Sequence, residues 1–271
     1  MTPKIAFIHR RGPWVAVLSL LALLSFVALL WLAPLPAAWA APAYVPDARF
    51  ADTLARRMES CAACHGAQGR AGPDGYYPRI AGKPAGYLYN QLLNFRDGRR
   101  HYGLMLRMVD PLSDAYLWEI AHYFAALDLP YPAPQPSTAP PALLERGRQL
   151  VQQGDSARGV PACIACHGAA LTGVAPNVPG LLGLPRDYLA SQLGAWKARV
   201  RSAHAPDCMA QIVERLAPED LAAASNWLAA QPLPADTHPV AAPPQAWPMA
   251  CGSAVLPDRA PPAAAGTESR R

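Results

Sequence analysis

An all-α chain is predicted, built as two similar helical domains in tandem from an internal duplication and preceded by an N-terminal signal or anchor helix. Three observations point that way. Apolar residues recur at helical spacing, and no stretch alternates like a strand over useful length. One pattern of residues occurs twice, at an offset of 101 to 104 positions. Prolines cluster between the two copies and again after the second.

The N-terminal element comes first. Trp14 to Leu32 is an apolar run of 19 residues without a charge. Lys4, Arg10 and Arg11 precede it, residues 1–40 hold no acid, and Ala38-Trp39-Ala40 follows as a small-residue site. Two readings stay open: residues 1–40 are a signal peptide cleaved after Ala40, or residues 14–32 remain as a transmembrane anchor. Both put residues 41–271 on the far side of the cytoplasmic membrane, in the periplasm, because the positive flank stays inside. The formal net charge of +5 is largely this flank. Past residue 40 there are 21 Lys and Arg against 19 Asp and Glu. A near-neutral body with no basic patch argues against nucleic acid as a partner.

The tandem follows. Residues 130–141, with Pro130, Pro132, Pro134, Pro136, Pro140 and Pro141, read as a linker that cannot be the interior of a helix or sheet. It separates residues 44–129 from 142–233. Residues 234–271 form a second proline-rich stretch, a tail expected to be partly disordered toward Gly266–Arg271. Between the two units, Cys61-Ala-Ala-Cys64-His65-Gly66 matches Cys163-Ile-Ala-Cys166-His167-Gly168, and Pro78-Arg-Ile-Ala-Gly82 matches Pro179-Gly-Leu-Leu-Gly183. Tyr87-Leu88 with Gln91-Leu92 matches Tyr188-Leu189 with Gln192-Leu193, and Leu129-Pro130 matches Leu233-Pro234. Helices are expected where Leu88, Leu92 and Phe95, and then Leu117, Ile120, Ala121 and Phe124, line one face. Ser113-Asp114 and Pro218-Glu219-Asp220 read as helix starts.

The repeated Cys-x-x-Cys-His carries the chemistry. At this spacing two thiols reach the two vinyl-derived positions of one haem as thioethers, and the adjacent His lies under the iron. Cys61, Cys64 and His65 would hold one haem c, and Cys163, Cys166 and His167 a second. A redox dithiol has no need of the His. A zinc site would need the four cysteines together. For the sixth iron ligand, Met105 lies 40 residues after His65 and Met209 lies 42 after His167, each seven residues before a leucine, Leu112 and Leu216. A thioether there raises the potential and suits electron transfer. Core filling is the bland role for both. Met108 competes with Met105, and His101 and His204 are further alternatives. The carbonyls of Pro78 and Pro179 are placed to accept the proximal His N–H. Tyr76, Tyr77, Tyr87, Tyr89 and Trp196 read as packing aromatics. Cys208 and Cys251 are left over. A disulfide is expected in an oxidising compartment, and the alternative is that Cys208 ligates iron in place of its neighbour.

At these residues the chain resembles the cytochrome c4 family of dihaem electron carriers. The resemblance rests on the two CxxCHG motifs, the Pro-x-x-x-Gly turns, the Tyr-Leu-x-x-Gln-Leu helices and Met105-Leu-Arg-Met108-Val-Asp-Pro-Leu-Ser-Asp114, and it covers roughly residues 50–233. It implies two class I cytochrome c domains, with Cys61, Cys64, His65 and Met105 on the first haem and Cys163, Cys166, His167 and Met209 on the second. It also implies an electron carrier rather than an enzyme. Its donor would be a quinol-oxidising complex or a periplasmic dehydrogenase, its acceptor a terminal oxidase, and its place the membrane surface. Three features depart from the family: the looser second unit around Ala203–Cys208, the Cys208 and Cys251 pair, and the tail beyond Pro234. They leave open an enzyme of the thiosulfate dehydrogenase kind, with Cys208 as haem ligand. A dihaem peroxidase would call for an open sixth position and a larger chain. The cytochrome subunit of a membrane dehydrogenase differs from the carrier only in its partner.

Overall fold

A computed structural model describes residues 52–72, 75–243, 245–256 and 260–261. The expected signal or anchor helix and the end of the tail, Gly266–Arg271, lie outside the described residues. Among the described residues no helix is long and apolar enough to cross a membrane.

The described chain is mostly helical. Its first half runs α1 (Leu54–Arg57), α2 (Glu59–His65), α3 (Ala85–Arg96), α4 (Gly103–Val109) and α5 (Asp114–Ala125). Its second runs α6 (Pro141–Gln152), α7 (Ile164–His167), α8 (Arg186–Lys197), α9 (Cys208–Glu214) and α10 (Pro218–Ala229). The helix starts are set locally. Ser113 Oγ accepts the Tyr116 N–H and caps α5. Asp207 accepts the Ala210 N–H and caps α9. Pro218 occupies the first turn of α10, where its missing N–H costs nothing. Pro141 does the same for α6, so that helix begins on the last residue expected for the linker. Residues 130–140 themselves form no helix or strand, as six prolines in twelve positions require.

Two cores form. In the first half Leu88 and Phe95 of α3 meet Leu117, Ile120, Ala121 and Phe124 of α5, with Met58 and Val109. In the second, α10 packs on both α6 and α8. Leu182, Leu184, Leu189 and Leu228 fill one cluster there, and Leu150, Val160, Val213, Leu216 and Leu221 a second. One element escapes the helical expectation. Gly173–Val174 (β1) and Val178–Pro179 (β2) make a two-residue antiparallel hairpin, with Val174 opposite Val178. Two residues are too few for alternation to show in a sequence.

The tail is held before its end. Val240 exchanges backbone hydrogen bonds with Gly173 and Ala175 beside the hairpin. Asn177 Nδ2 donates to the carbonyls of Ala254 at 3.3 Å and Leu256 at 2.6 Å. Val240 and residues 254–256 are therefore held on the second half. Where the halves meet, Arg100 and Arg201 form an antiparallel bridge, and the Ser202 N–H donates to Arg99 O at 2.7 Å.

Candidate haem-binding sites

Each Cys-x-x-Cys-His folds as a short helix that ends on its histidine. Gly66 and Gly168 then stop the helix at φ 73° and 84°, values that side chains with a Cβ rarely adopt. At Gly66 a Cβ would also run into the carbonyl of Ala71. The chain can thus turn sharply away after His65 and His167. Both histidines are buried, at 9% and 8% exposure.

Their orientation is fixed by the proline turns. Nδ1 of His65 lies 2.8 Å from Pro78 O, and Nδ1 of His167 lies 2.8 Å from Pro179 O. A carbonyl only accepts, so Nδ1 carries the proton and Nε2 keeps its lone pair. Burial lowers the pKa of both rings; the Pro78 carbonyl opposes it at His65 and the Pro179 carbonyl at His167. Both are then neutral imidazoles with a lone pair, which is the form that binds iron, and the backbone carbonyl behind each ring increases its basicity. This donor set fits haem c.

The cysteines fit the same group. All four motif cysteines are unbonded to one another and half-buried. Burial raises the Cys61 thiol, and burial together with Cys166 pushes Cys163 up to about 12. Among the described residues no three His, Cys, Asp or Glu side chains converge on a point that could hold a metal ion. The zinc alternative, which needed all four cysteines together, fails on that geometry.

The methionines sit in matching places. Met105 lies on α4 and packs against the first core, which Cys61 also touches. Met209 lies on α9 and packs against the cluster formed by Leu150, Val160, Val213, Leu216 and Leu221. Met108 is 48% exposed and points to solvent. His101 is exposed, and the backbone N–H of His204 donates to Ser253 Oγ in the tail. Cys208 and Cys251 are joined by a disulfide with their Cα atoms 4.9 Å apart. This bond and the Gly252 N–H on Pro206 O, 2.9 Å, tie the tail to the loop before Met209.

The chain is similar to known proteins. Residues 49–124 match the family described as cytochrome c oxidase, cbb3-type, subunit III. The chain is 40% identical over 214 residues to a thiosulfate dehydrogenase electron acceptor of Thiomonas intermedia, covering 79% of this chain and 91% of that one. It is 34% identical over 170 residues to cytochrome c4 of Pseudomonas aeruginosa, covering 62% of this chain and 82% of the relative. The chain belongs to the cytochrome c4 family. The reduced cytochrome c4 of Pseudomonas stutzeri superimposes with a TM-score of 0.56 at 29% identity, over 65% of this chain and 95% of that one. As a cytochrome c4-like protein the chain is a dihaem cytochrome c that carries electrons, with both haems covalently bound.

Two arginines at the junction drew no attention in the sequence. Arg100 and Arg201 stand at the 101-residue offset shared by Tyr87 and Tyr188 and by Gln91 and Gln192. That shared offset was the signal available.

Proposed function

We propose that this chain is a periplasmic electron shuttle that takes electrons from a thiosulfate-oxidising dehydrogenase and passes them toward a terminal oxidase. The observation that carries the shuttle reading is the repeated geometry: two buried histidines, each held by a proline carbonyl at 2.8 Å. The donor rests on the Thiomonas relative, whose name is that of the electron acceptor of thiosulfate dehydrogenase and most of whose length the chain matches. A quinol-oxidising complex is the other donor the family resemblance implies.

In this reading residues 44–129 and 142–233 are two class I cytochrome c domains, with 130–141 as linker and 234–271 as tail. Haem c, when bound, supplies a one-electron couple. Cys61 and Cys64 would tether the first group, and His65 through Nε2 and Met105 through its thioether would ligate its iron. Cys163, Cys166, His167 and Met209 would do the same in the second domain. A His/Met pair would keep the potential high, as a carrier requires. Cys208 has its sulfur bonded to Cys251, which favours Met209 as ligand and counts against the enzyme with a thiolate-bound haem. A near-neutral body suits brief docking to redox partners. Residues 14–32 either leave with a signal peptide or hold the protein at the membrane, and the intact mass of the exported protein separates the two.

The test mixes the oxidised protein with thiosulfate, with and without a thiosulfate dehydrogenase. Reduction only in the presence of the dehydrogenase supports the shuttle. Reduction by thiosulfate alone would make the chain itself an enzyme. A Met105→Ala variant should keep its covalent haem, lose the His/Met signature of the first haem in electron paramagnetic resonance and near-infrared magnetic circular dichroism, and lower that haem's potential. An unchanged spectrum would move the ligand to Met108 or His101.

A further inference from the structure

The two halves join their histidine turn to their methionine helix by different means. In the first half the link is a pair of side chains. Tyr77 stands before Pro78, whose carbonyl orients His65, and Tyr102 stands before α4, which carries Met105. Their hydroxyls lie 3.2 Å apart, and the Tyr77 ring meets the His65 ring edge-on with centroids 6.1 Å apart. In the second half the corresponding positions, before Pro179 and three residues before Met209, hold Val178 and Pro206. Neither carries a hydroxyl, so that link is not available there.

The tail spans the same gap. At the methionine end, Cys251 is bonded to Cys208, the Gly252 N–H donates to Pro206 O at 2.9 Å, and Ser253 Oγ accepts the His204 N–H at 3.3 Å. Gly252 lies so close to this loop that a Cβ on it would run into the carbonyls of Ala205 and His204, which are backbone and cannot rotate away. Asp207 holds the loop from its other side, accepting the Ala203 N–H at 2.7 Å and Trp196 Nε1 at 3.3 Å. At the histidine end, Asn177 directly precedes Val178-Pro179, and the Pro179 carbonyl orients His167. Asn177 is 5% exposed, and its Nδ2 donates to Ala254 O and Leu256 O of the tail. A buried amide is costly unless its N–H groups are answered, and the acceptors for Asn177 Nδ2 both come from this segment. Residues 251–256 thus reach from the start of the Met209 helix to the turn that sets His167.

We propose that residues 251–256, together with Asn177, form a clasp that positions both axial ligands of the second haem, in the place of the Tyr77–Tyr102 pair of the first. The proposal rests on the His167 and Met209 ligation read above. Cys208, Cys251, Gly252 and Asn177 are positioning residues that act through Met209 and His167. A segment fastened at both ends fixes the separation of the two ligand-bearing elements and removes freedom from the loop before Met209. The thioether is then kept on the iron. Thioether ligation raises the potential, so the clasp holds up the potential of the second haem without reference to the first.

The test compares the haem-loaded full chain as wild type, as the double variant Cys208→Ala with Cys251→Ala, and as Gly252→Ala. The double variant opens the covalent end of the clasp and leaves no thiol there to compete for iron. Gly252→Ala keeps both cysteines and pushes the tail off the loop, so it carries the test if the double variant fails to load haem. Two quantities are read at each haem: the midpoint potential, and the rate at which added imidazole displaces methionine from the ferric iron. In both variants the second haem should take up imidazole about tenfold faster. Its reduction equilibrium should fall by on the order of tenfold, or about 59 mV for one electron. The first haem should keep its wild-type values and serves as the internal control. Variants that melt at a lower temperature with both quantities unmoved would make the tail a staple of stability and overturn the clasp. Equal changes at both haems would overturn it as well. A wild-type second haem without the His/Met signature would overturn the ligand reading and the clasp together. A wild-type signature that is insensitive to both variants would overturn the clasp alone.

Discussion

At the scale of single residues, Asp220 shows how one carboxylate can hold three segments. Its Oδ1 accepts from Arg146 Nε at 2.8 Å, and its Oδ2 accepts from Arg158 Nη1 at 2.7 Å and from the Ala217 N–H at 3.0 Å. Both arginines also bind Asp155. Burial raises the pKa of Asp220, but Arg158, Arg146 and the Ala217 N–H outweigh it and hold the carboxyl at about 2. A depressed acid contributes stability that is complete above its ordinary value and is lost as the pH falls through the folded one. Asp220→Asn should therefore cost about 2 kcal/mol at neutral pH. The gap between variant and wild type in thermal melts should narrow from pH 4 downward and close near pH 2. A gap independent of pH would mean that packing, not charge, is what the substitution removes. In the sequence Asp220 was readable only as part of a helix start. Its arginines lie 62 and 74 residues upstream, and charge pairing across loops leaves no period to find. The haem-attachment residues were legible for the opposite reason. Thioether chemistry fixes their spacing within five positions, whatever the fold around them does.

At the scale of elements, the crossing of α6 on α10 depends on Gly147. A Cβ there would meet the Ala223 carbonyl and the Cβ of Trp227 at 2.7 Å, and the Ala223 atoms are backbone that cannot rotate away. Gly147→Ala gains about 1 kcal/mol in helix propensity but overpacks the crossing by about 1–3 kcal/mol. The expected result is a net loss of stability in denaturant melts of the haem-loaded protein. A variant more stable than wild type would mean the two helices can separate at little cost. Helices were legible where apolar faces repeat every turn, as over residues 88–95 and 117–124, and where Ser113 and Pro218 mark a start, whereas Pro141 read as linker and proved to open α6. The hairpin was not, since β1 and β2 hold two residues each. Of the tail's hold on the second half, the Cys208–Cys251 disulfide could be expected from two leftover cysteines in an oxidising compartment, but the contacts through the backbone of Val240 and the side chain of Asn177 could not, since they leave no pattern in the sequence. Arg100 and Arg201 were hidden in the same way. Each looks like a surface charge until the halves come together around it.

At the scale of the whole molecule, the junction is unusual in burying positive charge. Besides the two arginines it holds Lys83, 4% exposed, whose Nζ donates to Gly180 O at 3.3 Å across the halves and lies 5.5 Å from the Tyr131 ring. Gly180 follows the proline whose carbonyl orients His167, so this lysine ties the first half to the turn that sets the second site. Burial, and after it the like charge of Arg79, push Lys83 down to about 7 from an ordinary 10.5. The sign follows directly. Between these two values the folded chain binds fewer protons than the unfolded chain, so stability attributable to Lys83 rises with pH across that window. Below about pH 7 the folded protein must hold a desolvated ammonium at the junction. Lys83→Met keeps the length and the apolar stem and removes that charge. It should raise the melting temperature at pH 6, by about 2–4 °C for each kcal/mol recovered in a chain of this size. The gain should shrink as the pH rises from 7 to 10, because the wild-type lysine is then neutral in the folded state as well. Melts of both proteins at pH 6 and 10 decide the matter. A methionine variant less stable than wild type at pH 6 would mean that the bond to Gly180 is worth more than the buried charge costs, and the junction would then be held by its cations rather than in spite of them.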